Sequence, residues 1–187
     1  VNPYNPNELT DGERAVVNRL KELFIHSERL QKHIEFLYKN GSMYTCCNGN
    51  IIYHGCIPMN ENGDFDAYPT PDGTVSGKEL LDYCDRTARK AYFGKDDAAA
   101  KDFMWYLWCG PLSPLYGRNK MTTFERCFIA DKTLHAEQKN SYYTLYQNKE
   151  VCEKIIREFG LSVKFAHIIN GHVPVRIKLG ESPIKGG

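Results

Sequence analysis

The chain has 187 residues, a formal net charge of +1, and 42% hydrophobic and 25% charged residues. This composition is typical of one soluble globular domain, which at this length buries roughly 70% of the surface that its unfolded chain exposes. The small net charge argues against nucleic acid as a partner. No apolar run reaches the ~20 residues that a membrane-spanning helix needs, so we expect no membrane partner either.

The N-terminal part is predicted to form an arm and one long helix. Residues 1–9 are rich in Asn and Pro, and Thr10 and Glu13 then have the spacing of a capping box. Apolar residues follow at intervals of three or four as far as a stop signal at residues 40–41 (NG), interrupted only by Ser27. The pattern predicts one amphipathic helix of about thirty residues.

A β-hairpin is predicted next. Residues 42–45 and 51–53 have the composition of strands, and the pair between them at residues 48–49 (NG) is the strongest short hairpin signal. The second strand continues into residues 51–58 (IIYHGCIP), in which the apolar residues run directly into His54.

Two strand ends are expected to deliver one histidine each. His54 ends the run just described, and residues 166–175 (AHIINGHVPV) repeat the arrangement with His172, after which residues 173–179 are expected to continue extended. Neutral imidazole is a common metal ligand, so one interpretation is a metal site shared by His54 and His172. The alternative is that each imidazole only closes its strand and bonds a backbone carbonyl. Gly55 lets the backbone turn sharply or lets another segment approach closely.

Between the two histidine segments, the sequence predicts a loop and two helices. Residues 60–75 are predicted to be a solvated loop, because their acidic residues do not have the spacing of a calcium-binding loop. A helix is predicted over residues 76–93, opened by a capping box of Ser76 and Glu79, and a second helix over residues 96–108.

The most aromatic stretch, residues 103–118, ends in Pro and Gly turns that lead to Arg118. One interpretation is a core plug followed by a loop. The other is a loop that holds the Arg118 guanidinium over an anionic substrate, since arginine matches phosphate bidentately. Further on, residues 131–147 are predicted to be an exposed, Tyr-rich connection, and residues 148–159 a helix capped by Asn148.

The seven cysteines show no CxxC or zinc-finger spacing, and their number is odd. Most have apolar neighbours, which is typical of free thiols that serve as small core residues in a reducing compartment. A cytoplasmic location is therefore expected.

Several of these segments resemble metallophosphoesterases of the phosphoprotein phosphatase type. Residues 53–58 (YHGCIP) resemble the His-Gly-Gly motif of those enzymes, and residues 107–111 (LWCGP) resemble their Leu-Trp-x-x-Pro motif. Residues 170–174 (NGHVP) resemble their late Gly-His motif. The same residues 53–58 and four further stretches are similar to the class III fructose-1,6-bisphosphatases of Firmicutes. The further stretches are residues 24–33, 104–114, 121–126 and 168–175. The second resemblance covers nearly the whole chain.

The resemblance implies a mixed α/β fold that is part of a calcineurin-like β-sandwich flanked by helices, with the long amphipathic helix at its N-terminus. It also implies hydrolysis of the 1-phosphate of fructose 1,6-bisphosphate, a sugar bisphosphate, to fructose 6-phosphate in gluconeogenesis. The implied cofactor is Mn²⁺ at a dinuclear site, where two ions generate hydroxide and clamp the phosphoryl oxygens. By position, His54 and His172 would be metal ligands, and Arg118 would bind the substrate phosphate.

Other segments of such a site do not occur in this sequence. The Asp-x-His, Gly-Asp-x-x-Asp-Arg and Gly-Asn-His-Asp segments of the family are missing, and these supply its bridging carboxylate, further ligands and proton donor. Hard cations take carboxylates among their donors. Residues 1–187 are therefore predicted to be one domain, a central-to-C-terminal portion of a larger metallophosphatase that is inactive alone. Residues 1–40 would form its arm and long helix, and residues 41–187 its α/β portion.

Two other functions fit part of the pattern. A non-catalytic α/β module that binds a sugar phosphate or a partner would need no further carboxylates. A phosphoesterase acting on phosphoprotein or dinucleotide would share the histidine pair but not the surrounding segments. Sheet edges without neighbouring strands predict, in addition, association into homo-oligomers.

Overall fold

The structure is a computed structural model that describes residues 4–5, 8–94 and 97–186. The chain divides into two compact units, residues 1–41 and residues 42–187. The fold is mixed α/β, as predicted. Within the described ranges, no helix combines the length and apolar character needed to cross a bilayer. Part of the predicted arm, residues 1–3 and 6–7, lies outside the residues that the structure describes.

The first unit contains two helices where the sequence predicts one. The first, α1 (Asp11–Ile25), begins at the predicted capping box, in which Thr10 and Glu13 accept hydrogen bonds from each other's backbone N–H groups. The second, α2 (Glu28–Asn40), begins where the Ser27 hydroxyl accepts a backbone hydrogen bond of 3.3 Å. The single continuous helix was a wrong prediction, because a serine hydroxyl is better placed at a helix start than inside a helix.

The second unit has five short strands and five helices within its described residues. The strands are β1 (Tyr44–Cys47), β2 (Asn50–Tyr53), β3 (Tyr68–Thr70), β4 (Gly73–Val75) and β5 (Ile168–Asn170). The helices are α3 (Gly77–Phe93), α4 (Ala98–Cys109), α5 (Thr123–Phe128), α6 (Tyr142–Leu145) and α7 (Lys149–Glu158). Single 3-10 turns occur at Lys132–His135 and Ile177–Leu179.

The principal sheet has the order β1-β2-β5. β1 and β2 pair antiparallel and confirm the predicted hairpin. Asn48 and Gly49 have positive φ angles of 50° and 77°, as a tight two-residue hairpin turn requires. β5 lies parallel to β2 on its other side, so β2 and β5 end at the same edge of the sheet.

Side-chain burial alternates along β2 and leaves the residue after the strand exposed. Ile51 and Tyr53 are 0% and 5% exposed, whereas His54 is exposed. Because successive side chains of a strand point to opposite faces, the residue after Tyr53 is directed away from the core. The buried cluster comprises Ile51, Tyr53, Cys56, Ile57, Met59, Leu81, Tyr142, Val151, Ile155 and Phe159.

Tyr142 contradicts the predicted exposure of residues 131–147. It is 2% exposed, and its hydroxyl lies 2.8 Å from the hydroxyl of Tyr53. The Asn140 side chain fixes this position by accepting hydrogen bonds of 3.0 Å from the N–H groups of Met59 and Tyr142. The tyrosine spacing of the segment has no regular period, so no local pattern indicates that one ring enters the core.

We predict that the Tyr53–Tyr142 hydroxyl pair is strongly coupled. Tyr53→Phe or Tyr142→Phe alone leaves one buried hydroxyl unpaired and is expected to cost about 1–3 kcal/mol in the free energy of unfolding. The double variant removes both hydroxyls and should lose less than the sum of the single losses. Urea unfolding measures all four proteins, and strictly additive losses would show that the bond contributes nothing.

Residues 60–75 are more structured than the predicted solvated loop. β3 and β4 form a hairpin, and a bridge joins Met59 to Phe65, which packs against the core cluster. Lys154 of α7 donates 2.8 Å hydrogen bonds to the carbonyl of Gly63 and to Asp64 Oδ1. The prediction failed because the apolar residues that anchor the segment are few and irregularly spaced.

The start of α3 corrects the second predicted capping box. Ser76 occupies the N-cap position, but its side chain makes no capping hydrogen bond. Glu158 of α7 does so instead, since its Oε1 accepts a 3.0 Å bond from Lys78 N. A Cβ on Gly77 would lie 2.6 Å from that oxygen, so the glycine makes room for the distant cap. The predicted end of this helix at Phe93 is confirmed.

The second predicted helix corresponds to α4, with the Asp97 side chain as its cap at 2.8 Å from Ala100 N. Its predicted first residue, Asp96, lies outside the described residues. The core-plug interpretation of the aromatic stretch holds for Phe103, which is buried, but not for Trp105, which is 60% exposed.

The C-terminal elements agree with the sequence in part. Asn148 caps α7 through a 2.8 Å hydrogen bond from Glu150 N, as predicted. The predicted extended course over residues 173–179 is wrong at its end, where the backbone closes the Ile177–Leu179 turn. Gly180 ends that turn with a φ of 79°, and no regular strand partner is present among the described residues to hold the segment extended.

The cysteines depart from their predicted role as core residues. All seven are free thiols, but only Cys56 and Cys84 are buried. Burial raises the pKa of each of these two thiols to about 12, so both stay protonated and behave as small apolar side chains.

Candidate metal centre

Parallel pairing of β2 and β5 brings the two predicted histidines together. Tyr53 lies opposite Asn170, so the residues that follow each strand leave the sheet at one edge. The His54 carbonyl accepts hydrogen bonds from the N–H groups of Gly171 and His172, at 3.3 and 2.9 Å. The backbones of the two histidines are thus joined directly.

The two imidazole rings also meet. His172 Nδ1 lies 3.0 Å from His54 Nε2, and the ring centroids are 5.0 Å apart. Within the described ranges the ring nitrogens bond each other, and not the backbone carbonyls expected if each histidine only closed its strand. The sequence interpretation required the two side chains to converge, and they do.

Asn170 secures this strand end, a role that the sequence interpretation did not identify. Its Nδ2 donates to the carbonyl of His54 at 3.1 Å and also to the carbonyl of Gly55. Backbone carbonyls beyond the last bond of a strand ladder need such partners when they are shielded from water. The only sequence signal for this role was the position of Asn170, an amide side chain directly after an apolar run.

Gly55 allows the loop after α4 to contact the histidine segment. Pro114 O accepts a hydrogen bond of 2.8 Å from Cys56 N. A Cβ on Gly55 would lie 2.0 Å from the same oxygen. Of the two roles predicted for this glycine, the structure therefore shows the close approach of another backbone.

The same loop carries Arg118 to the histidine pair. Arg118 and Lys139 face each other in an antiparallel bridge, beside which Asn140 N donates to Gly117 O at 3.0 Å. A cleft of about 300 Å³ opens here, lined by Tyr116, Arg118, Lys139, Tyr143, His172, Val173, Pro174 and Arg176. Arg118 and His172 thus line one cleft, and His54 adjoins it through its bond to His172.

A carboxylate holds the Arg118 side chain in place. Arg118 Nη1 donates to Glu137 Oε2 at 2.8 Å, while Thr122 donates to Glu137 Oε1 from its N–H and its hydroxyl. Burial alone would raise the pKa of Glu137, but the Thr122 hydrogen bonds and the Arg118 charge outweigh burial and lower it. The carboxylate is therefore ionised, and the guanidinium has further N–H donors that can bind a second anion.

The electrostatic surroundings keep His172 neutral. Its partial burial lowers its pKa below the usual value near 6.5, and the neighbouring His54, Arg118 and Lys139 lower it further. At neutral pH the ring is therefore uncharged, which is the form that binds metal ions.

The imidazole pair fits a metal ion, but as part of a donor set only. Two nitrogens about 2.1 Å from one ion in adjacent octahedral positions lie about 3.0 Å apart, which matches the observed separation. Among the described residues, no three His, Cys, Asp or Glu side chains are grouped to hold an ion. A complete site would need donors from beyond those residues.

Three residues that line the cleft were not identified from the sequence. Lys139 and Tyr143 belong to the segment predicted as an exposed connection, and Arg176 belongs to the predicted extended tail. None has a local sequence signal, because only the folded chain brings these segments to the histidine pair.

Comparison with known proteins agrees with the resemblance. A family model described as Firmicute fructose-1,6-bisphosphatase matches residues 1–187. A Clostridium botulinum protein named fructose-1,6-bisphosphatase class 3 is 54% identical over 185 residues, covering 97% of this chain and 28% of that protein. Similarly named proteins of Clostridium beijerinckii and Clostridium tetani are 51% and 50% identical over 188 residues, covering 99% and 98% of this chain.

The chain spans 28% of the length of these curated relatives. No solved structure matches it.

Proposed function

We propose a function from the premise that this chain belongs to the Firmicute fructose-1,6-bisphosphatase family. The full-length protein hydrolyses fructose 1,6-bisphosphate to fructose 6-phosphate and phosphate, with manganese as its divalent cofactor. The observation that carries the proposal is the pair of imidazole nitrogens 3.0 Å apart beside an arginine-lined cleft. The activity is proposed for the whole protein, because the chain spans 28% of the length of its relatives.

His54 and His172 are proposed to hold the metal through Nε2 and Nδ1. The two nitrogens lie 3.0 Å apart, so an ion that replaces the proton between them would be bound by both rings, and Asn170 keeps the strand end that carries them fixed. A divalent ion bound there would supply an activated water and would neutralise charge on the phosphoryl oxygens. Its remaining donors, with carboxylates among them, would come from beyond the described residues and would complete a dinuclear site on a calcineurin-like β-sandwich.

Arg118 is proposed to bind the phosphate that is hydrolysed. Because Glu137 holds one side of the guanidinium, the fork needs little rearrangement when an anion enters the cleft. A donor fixed in advance stabilises charge as it develops on the phosphoryl oxygens.

The incomplete donor set favours a second candidate for residues 1–187 taken alone. Without a third metal-binding side chain among the described residues, the isolated chain would act as a non-catalytic α/β module that binds a sugar phosphate or a partner. Catalysis would then require the rest of the protein.

Phosphate release from fructose 1,6-bisphosphate tests both candidates. The full-length protein is expected to turn over in manganese and to lose all turnover in EDTA, whereas residues 1–187 alone should release none. Phosphopeptide and dinucleotide, assayed in parallel, test for another phosphoesterase activity. Binding of the bisphosphate without turnover by the full-length protein would favour the module, and turnover by the isolated chain would contradict the incomplete donor set.

A cytoplasmic location and homo-oligomeric assembly complete the proposal. The free thiols support a reducing compartment. In the described part of the chain, β1 and β5 are edge strands, which tend to pair with further strands. Fractionation of the source cells and light scattering on the purified protein would test the two statements.

A further inference from the structure

The cleft beside the histidine pair is lined by more cations than the carboxylates of the described residues neutralise. Arg118, Lys139 and Arg176 line it, and of these only Arg118 forms an ion pair within the described part of the chain, with Glu137. Lys139 Nζ instead lies 5.8 Å from the centroid of the Tyr143 ring.

The acidic residue nearest in sequence to Arg176, Glu181, is shared with a second cation. Glu181 Oε1 accepts a 2.8 Å hydrogen bond from Lys185, and Glu181 Oε2 accepts one of 2.9 Å from the backbone N–H of Arg176. The carboxylate is thus bound by another ammonium group and by a main-chain donor. The Arg176 charge also acts on this carboxylate and lowers its pKa, but one carboxylate shared by two cations leaves a net positive charge beside the cleft.

The positive charge of the cleft makes it suited to an anion. Directly opposed residues of an antiparallel pair place their side chains on one face, and like charges there destabilise the pair. Arg118 and Lys139 occupy such positions. Glu137 offsets the charge of Arg118, and Glu181 is shared between Lys185 and Arg176, so the described residues leave the cleft with a net positive charge. Two cations are well matched to one phosphate dianion.

We infer that Lys139 and Arg176 form a second phosphate subsite, which binds the substrate phosphate that is not hydrolysed. The inference rests on the proposed function, in which Arg118 and the histidine pair engage the reacting phosphate. A volume of about 300 Å³ lies at the lower end of the range for small-molecule sites, and the cleft wall is shared between His172 and the two cations. The subsite would make the enzyme selective for a sugar bisphosphate over a monophosphate.

Kinetics on two substrates test the subsite in the full-length, manganese-loaded protein. Fructose 1,6-bisphosphate is compared with fructose 1-phosphate, which has the reacting phosphate but lacks the second one. Lys139→Gln and Arg176→Gln are each expected to raise KM for the bisphosphate roughly 10- to 100-fold, the effect of losing one charged hydrogen bond. For fructose 1-phosphate, KM and kcat should change less than about twofold in Arg176→Gln, since this side chain would bind only the phosphate that the substrate lacks. In Lys139→Gln the loss on the bisphosphate should remain the larger one, although the Lys139 charge also lowers the pKa of His172.

Lys132→Gln is the matched control, because Lys132 is an exposed lysine outside the cleft lining. It should leave both substrates unaffected. If a cleft variant loses kcat/KM equally on the two substrates, the inference is overturned and the cations belong to the reacting phosphate. Unchanged kinetics in both cleft variants would overturn it as well. If the unmodified protein hydrolyses neither substrate, the proposed function itself fails. Thermal unfolding of each variant distinguishes a folding defect from weaker binding of the phosphate.

Discussion

Replacing His172 with alanine in the full-length protein is expected to lower kcat/KM for fructose 1,6-bisphosphate at least about 100-fold. Changes in residues that only orient a metal ligand already cost 10- to 100-fold in affinity or activity, so loss of a ligand should cost at least the upper value. His54→Ala should have the same effect, because the two rings present their nitrogens to one point, 3.0 Å apart.

Manganese binding gives a second measurement that does not depend on turnover. Titration followed by electron paramagnetic resonance should show a weakened or missing site in both variants. His33→Ala is the control, since His33 is an exposed histidine on α2 and should bind and react as the unmodified protein does. Full manganese affinity in His54→Ala and His172→Ala would remove the histidine pair from the metal centre.

Gly55→Ala is expected to destabilise the protein by about 3 kcal/mol or more, the upper end of the range for overpacking. The new Cβ would lie 2.0 Å from the backbone oxygen of Pro114, and a backbone atom cannot rotate away as a side chain can. Relief requires the loop to move, which breaks the hydrogen bond from Cys56 N to Pro114 O. Because this loop carries Arg118, activity should fall with stability.

Gly171→Ala is the matched control for this prediction. Gly171 also adjoins one of the paired histidines, but a Cβ there would meet no atom within 4 Å. Its φ is not in the left-handed region, so alanine is compatible with its backbone. Urea unfolding should show Gly171→Ala within about 0.5 kcal/mol of the unmodified protein. Equal losses in both variants would mean that the Pro114 contact is not the reason for the glycine at position 55.

Local signals account for the parts of the fold that the sequence predicted correctly. The NG pair at residues 48–49 encodes a hairpin because both residues tolerate positive φ. Thr10 and Asn148 cap helices with their own side chains, within three residues of the groups they bind. Apolar runs that end in a histidine predicted where His54 and His172 leave the sheet, and the parallel pairing of β2 and β5 then brought the rings together.

The failed predictions concern positions whose environment is set by distant residues. The cap of α3 comes from Glu158, and the burial of Tyr142 depends on Tyr53, so neither could be read from nearby sequence. The break at Ser27 is different, because its signal was local: the serine that interrupts the apolar pattern is the cap of a second helix.

The sequence by itself determined which residues could bind a metal or a phosphate, and the tertiary structure decided which of them meet. Residue type and local pattern were enough to identify His54, His172 and Arg118 as candidates. Lys139 and Arg176 join the same cleft only because an antiparallel bridge and the segment after β5 bring them there. Hydrogen bonding and burial act through space, so contacts between segments far apart in the chain leave no periodic or capping pattern in either segment.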